Sequence, residues 1–238
     1  MNSRFAKALT YLPLIGISYG PISMAATDNM AGNWDSITLS GNLEDLSPAL
    51  KDFRWLVMDQ NRQRDDSSGG FRVSENLLFS QLGYALNQNA SLWLGYVHDW
   101  IHPLDKPAFQ ESRPYEDFLW TSPFNALKFT SRSRLEQRIN QSTGNMGVRA
   151  RQMFQVNYPL RFIHNDLGVY AGDEVLFYLN QNDFGKQGFT ENRAMGGLTF
   201  QFTKELGTDL GYLGQYVANK AGANLFTHNI FFNIRYQF

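Results

Sequence analysis

Eight charged residues hold the densest chemistry in this 238-residue chain: Arg132, Arg134, Glu136, Arg138, Arg149, Arg151, Glu174 and Arg193. Guanidinium groups either clasp oxyanions through planar paired donors or neutralise carboxylates inside a tight interior. Two roles therefore stand open. One is a packed ion-pair network, with Glu136, Glu174 and Glu191 as the acids. The other is a basic lining that binds anions or forms a narrow channel for them, which the arginine surplus on this stretch favours.

Hydrolysis is the rival chemistry. It needs a nucleophile and a base within hydrogen-bond reach. The four histidines are His98, His102, His164 and His228. His98 and Asp99 are adjacent, so on a strand they face opposite ways. His98 and His102 stand four apart, a spacing that suits metal binding on a helix and not on a strand. The chain has no cysteine, which excludes disulfides, thiolate catalysis, cysteine zinc sites and a lipidated N-terminal cysteine. No catalytic residue, metal or cofactor is assigned, and the expectation is a non-enzymatic protein. An outer-membrane enzyme acting on lipid or peptide is the alternative. Trp93, Trp100 and Trp120 read as interfacial anchors ahead of sugar or lipid binders.

These residues lie on strands. Across 127–139, Leu127, Phe129, Leu135 and Ile139 share one parity, while Lys128, Thr130, Arg132, Arg134, Glu136 and Arg138 share the other. The run 147–158 repeats the plan, setting Val148, Ala150, Phe154, Val156 and Tyr158 against Arg149, Arg151, Gln155 and Asn157. Alternate residues of a strand point to opposite faces, so each strand has one charged and one apolar face. Arginine facing lipid near the bilayer midplane is destabilising by about 2–4 kcal/mol, so the charged parity should face a barrel lumen. Aromatic content is high at 15 %, with 19 Phe and 11 Tyr, as strands favour. Tyr84, Tyr96, Tyr158, Tyr212 and Tyr236 are expected near strand ends, in interfacial girdles. Charge is balanced, 21 Lys+Arg against 22 Asp+Glu, and gives no basic excess for nucleic acid.

Residues 1–25 read as a cleaved signal peptide. Arg4 and Lys7 supply a positive start, an apolar stretch follows, and Ser23 and Ala25 precede the cleavage point. The segment 26–50 is an N-terminal region with a short strand expected at 34–42, and 51–238 is the barrel. The spacing predicts strands at 51–64, 71–85, 90–101, 111–123, 126–140, 145–158, 166–180, 189–203, 206–218 and 225–238. Ten strands satisfy the even-number expectation, and a partner for 34–42 would make twelve. Short turns at 87–89, 122–125 and 204–205 alternate with polar loops near 65–70, 102–110, 181–188 and 219–224. That phase puts the C-terminus in the periplasm and the loops outside. A soluble periplasmic β-sandwich would alternate too. The strand lengths, about 11–15 residues against about 5–6 in soluble proteins, favour the all-β, antiparallel, up-and-down transmembrane barrel.

Leu92-Trp93-Leu94-Gly95-Tyr96, Arg134-Leu135-Glu136-Gln137-Arg138, Asp173-Glu174, Gly188-Phe189, Asn192-Arg193 and Gly211-Tyr212-Leu213 together resemble the domain-of-unknown-function family 2490. The likeness spans most of the chain after residue 25. It implies a bacterial outer-membrane barrel and carries no established activity. At 111–117 the family's Glu-x-Arg is followed by an amide-bearing residue, where this chain has Pro114, Glu116 and Asp117. The last strand is similar to the C-terminal signal read by barrel-insertion machinery, with Ile230, Phe232, Ile234, Tyr236 and Phe238 on one parity. The expected partners are therefore that machinery and outer-membrane lipid, around a monomer in the cell outer membrane.

Overall fold

The computed structural model describes residues 27–104, 106–219 and 222–238. The expected signal peptide lies outside them. Eleven strands follow in chain order: β1 Thr27–Asn42, β2 Phe53–Ser67, β3 Gly70–Ala85, β4 Ala90–Ile101, β5 Phe109–Phe124 and β6 Leu127–Asn140. Then come β7 Met146–Pro159, β8 Leu167–Tyr178, β9 Gly188–Gln201, β10 Leu206–Val217 and β11 Asn224–Gln237. A single 3-10 turn, Pro48–Leu50, interrupts the β1–β2 connection.

The strands form one closed barrel. Each pairs antiparallel with its sequence neighbours, and β1 closes on β11 in parallel. This corrects the expected count of ten or twelve to eleven. The ten strands read from spacing are all present, and 34–42 belongs to the 16-residue β1. An odd number of up-and-down strands can close only through one parallel seam. β1 hid because its outward face is largely polar, with Asn33 and Asp35 ahead of Ile37 and Leu39. The parallel seam also sends Thr27 and Phe238 to opposite ends of the barrel.

The strands are steeply tilted. From Trp34, hydrogen-bonded neighbours run through Arg62, Glu75 and Ile101 to Phe109, at the start of β5. The other way they run through Phe231, Gly211, Gly197, Tyr170, Asn157 and Lys128 to Pro123, near its end. A closed barrel needs such a stagger. At the end where β11 begins, the connections are 102–108, 141–145, 179–187 and 218–223. The loop expected at 65–70 is instead a two-residue hairpin, in which Gly70 takes a φ of 86°. Glycine adopts that left-handed backbone without a Cβ clash.

Every strand presents at least one large apolar side chain outward. Examples are Leu39, Val57, Leu82, Leu94, Phe118, Leu135, Phe154, Phe177, Leu198, Leu210 and Ile230. Ile230, Phe232, Ile234, Tyr236 and Phe238 all face out, as their parity predicts. Tyr84, Tyr158 and Tyr236 point outward near strand ends. Tyr96 and Tyr212 do not fit a girdle: they sit mid-strand and hydrogen-bond to Ser112 and His228. Trp93 also departs from the anchor role. It shares the inward parity of β4, and its ring covers Gly83 on β3.

Inside, the middle of the β2–β5 wall carries an apolar patch. Leu77, Phe79, Val97 and Tyr115 form a buried cluster backed by Met58. Gly95 makes room for it: a Cβ there would come within 2.1 Å of the Tyr115 ring. Glycine therefore lets the ring lie flat on the neighbouring strand.

Candidate functional site

All eight charged residues singled out from the sequence point into the lumen. Arg132, Glu136, Arg149, Arg151, Glu174 and Arg193 bond one another, while Arg134 and Arg138 pair with other carboxylates beside them. Glu174 on β8 accepts from Arg132 at 2.7 Å, Arg151 at 2.8 Å and Arg193 at 3.4 Å. Glu136 on β6 accepts from Arg149 and, at 3.2 Å, from Arg151. Arg138 spans from Glu111, at 2.7 and 2.6 Å, to the Tyr178 hydroxyl at 2.6 Å. Adjacent antiparallel strands put same-parity residues directly opposite, which is why Glu136 meets Arg149 and Arg134 meets Arg151.

Several members were not singled out. Asp117 holds Arg134 through two bonds of 2.6 Å. Glu111 and Asp99 take Arg113 at 2.7 and 2.8 Å. Glu75 takes Arg62 at 2.6 Å, while Glu191, which the sequence did offer as an acid of the network, takes Arg193 at 2.5 Å. Their signal was available. Glu111, Arg113, Tyr115 and Asp117 alternate along β5, and Pro114 sits on the outward parity without breaking the strand. These acids use up much of the arginine surplus.

Aromatic rings tie the network to the rest of the interior. The Arg134 guanidinium lies 3.7 Å from the Tyr115 ring centre, and that of Arg62 lies 3.8 Å from Trp34. Cation–π contacts of this kind strengthen when water is excluded. Each strand gives this level a residue at most 9 % exposed: Trp34, Arg62, Leu77, Val97, Tyr115, Glu136, Arg151, Glu174, Arg193, Leu213 and Asn229. A water-filled passage would leave such wall residues wet. The lumen is closed here by its own side chains.

Above this layer, at the end where β11 begins, the lumen opens into a cup of about 700 Å³. Arg62, Arg64, Arg113, Arg138, Arg149, Arg193 and Lys106 line it, against Glu75, Asp183 and Glu191. The 179–187 connection folds inward over one side, and Phe184 stacks on Arg138 at 4.5 Å. Asn182 holds that turn by accepting from the backbone N–H groups of Phe184 and Gly185.

The histidines are dispersed. His98 faces outward and bonds to Gln110 at 2.9 Å, while its neighbour Asp99 is buried inside, as their adjacency predicts. His228 pairs with Tyr212 at 2.7 Å, and His164 lies 3.6 Å from Asp166 in the 160–166 turn. Among the described residues no cluster of His, Cys, Asp and Glu is arranged to hold a metal.

An uncharacterised protein of Methylorubrum extorquens is 25 % identical over 169 residues, covering 70 % of this chain and 74 % of its own length. The model of a family described as "Protein of unknown function (DUF2490)" matches residues 31–226. That match takes in nine strands whole, β2 to β10, with most of β1 and the start of β11, so the chain belongs to the DUF2490 family.

Proposed function

We propose that this protein is a monomeric, non-enzymatic barrel of the bacterial outer membrane, whose arginine-rich lumen is a closed anion-binding cup instead of a through-channel. The observation that carries the membrane reading is the inverted wall. Apolar side chains face out on every strand while the ion pairs face in. In water such a belt would be an apolar patch far beyond the few hundred Å² that soluble monomers expose. In a bilayer it is the expected surface. We take the Phe238 end as periplasmic because its connections 86–89, 125–126 and 202–205 are short, against the long 43–52 at the same end, and the cup then opens to the outside. The outward row ending at Phe238 then serves the insertion machinery.

The closed layer supports a cup over a channel. Its arginines and carboxylates already neutralise one another, and no wall residue at that level is freely wetted. His98, His228 and His164 pair with Gln110, Tyr212 and Asp166 and not with a serine or threonine hydroxyl, so the hydrolase alternative has no His–Ser pair to build on. Two measurements test the proposal. Unboiled protein in detergent should migrate differently from boiled protein on a gel, and salt washing should leave it in the membrane; release by salt alone would sink the membrane reading. In planar bilayers the purified protein should give no stable conductance steps. Regular ohmic steps would instead make it a channel.

A further inference from the structure

We infer that the cup is a binding site for a compact oxyanion carrying two or more negative charges, such as a phosphoryl or polycarboxylate group; this rests on the closed-cup reading above.

The first ground is the charge left over. Within the closed layer, carboxylates and guanidiniums interlock. At the cup wall Arg113, Arg138, Arg149 and Arg193 are already matched by Glu111, Asp99, Glu136, Glu174 and Glu191, and the balance tips only at Arg64 and Lys106. Asp183 is in turn engaged by the amide of Asn145. Glu75 is held by Arg62 at 2.6 Å, so Arg64, at 3.7 Å from the same carboxylate, is only loosely neutralised. Lys106 adds a further positive charge from the 102–108 connection at the rim.

The second ground is donor geometry. Arg113 spends Nε on Glu111 and Nη2 on Asp99, and Arg62 spends Nε on Gln60 and Nη1 on Glu75. A guanidinium has five N–H donors, so each retains some for a ligand. The internal pairs also fix these side chains in place. An anion entering the cup therefore meets preorganised donors in a walled site, where charge-assisted bonds are strong.

The third ground is shape. A volume of about 700 Å³ falls within the usual 300–1,000 Å³ of small-molecule sites. Closure below keeps the ligand from passing through. A single-charge ion would match only one of Arg64 and Lys106, which is why multivalency is part of the inference.

The test is calorimetric titration of the full-length barrel in detergent with inorganic pyrophosphate, with citrate, and with chloride as the single-charge control. Pyrophosphate or citrate should bind saturably, and affinity should fall at least tenfold between about 50 and 500 mM salt. If only one of the two binds, that arm identifies the phosphoryl or the carboxylate source. Arg64→Gln with Lys106→Gln should weaken binding at least tenfold while heat-modifiable migration is unchanged. Val217→Glu, which places a carboxylate on the cup wall without touching any ion pair described above, should do the same. Binding of neither anion, or binding indifferent to both variants, overturns the inference while leaving the closed cup intact. Ohmic conductance in bilayers would overturn the closed cup itself, and this site with it.

Discussion

Asp173 and Glu174 are neighbours on β8 and occupy opposite sides of the barrel wall. Glu174 is buried and gripped by three guanidiniums. Asp173 faces outward and accepts only from the Asn192 carboxamide, at 2.9 and 3.0 Å. The same pattern recurs on the outer face. Asp59 accepts from Asn76 at 3.3 Å, Glu116 from Gln137 at 3.4 Å, and Asp35 from Asn33. Inside, carboxylates meet cations; outside, they meet neutral amides. The difference teaches that the interior is built as a coupled charge network and the exterior as isolated dipolar pairs. Glu174→Gln should break the first most severely, leaving Arg132 with no carboxylate while Arg151 keeps only Glu136 and Arg193 only Glu191. Losing one partner of a buried ion pair is destabilising by about 3–5 kcal/mol. Urea unfolding of the folded barrel in detergent reads this loss. A change under about 1 kcal/mol would mean that water already screens the network, against the closed lumen.

The apolar patch sets the next effect. Leu77 is fully buried among Phe79, Val97 and Tyr115. Leu77→Ala removes packing and leaves a cavity, for about 2–4 kcal/mol by the same measurement. The two regions should also differ in coupling. Glu174→Gln combined with Arg151→Gln should be much less harmful than the sum of the two, because the two side chains bond each other. Glu174→Gln combined with Leu77→Ala should add to within about 0.5 kcal/mol.

Strand positions and inward parity were legible because a half-charged strand in a barrel has a strict period of two. Lys128 to Arg138 could face only one way. What spacing did not reveal follows from physics that acts across strands. β1 was obscured because its outward face mixes Asn33 and Asp35 with Ile37 and Leu39, and because its parallel partner β11 is almost the whole chain away. The inward acids Asp99, Glu111 and Asp117 had the right parity, yet their pairing with particular arginines depends on register. Trp93 belongs inside because the neighbouring position, Gly83, leaves a flat surface for its ring. No one-strand pattern carries that.

Asp173→Asn makes nearly the same chemical change as Glu174→Gln, one residue away, and should give the smallest effect with the opposite sign. The new carboxamide oxygen can still accept from Asn192, so the pair persists. Its net charge is gone, and charge on a lipid-facing wall is unfavourable. The variant should therefore match the parent or gain up to about 1 kcal/mol in lipid vesicles. In detergent micelles, which hydrate the surface more, the gain should shrink. A loss above about 1 kcal/mol in both would show that the Asp173 charge meets a cation from outside the chain. The outer wall there would be a protein contact and not a lipid one, and the contrast between the two faces of β8 would reduce to a difference of partners.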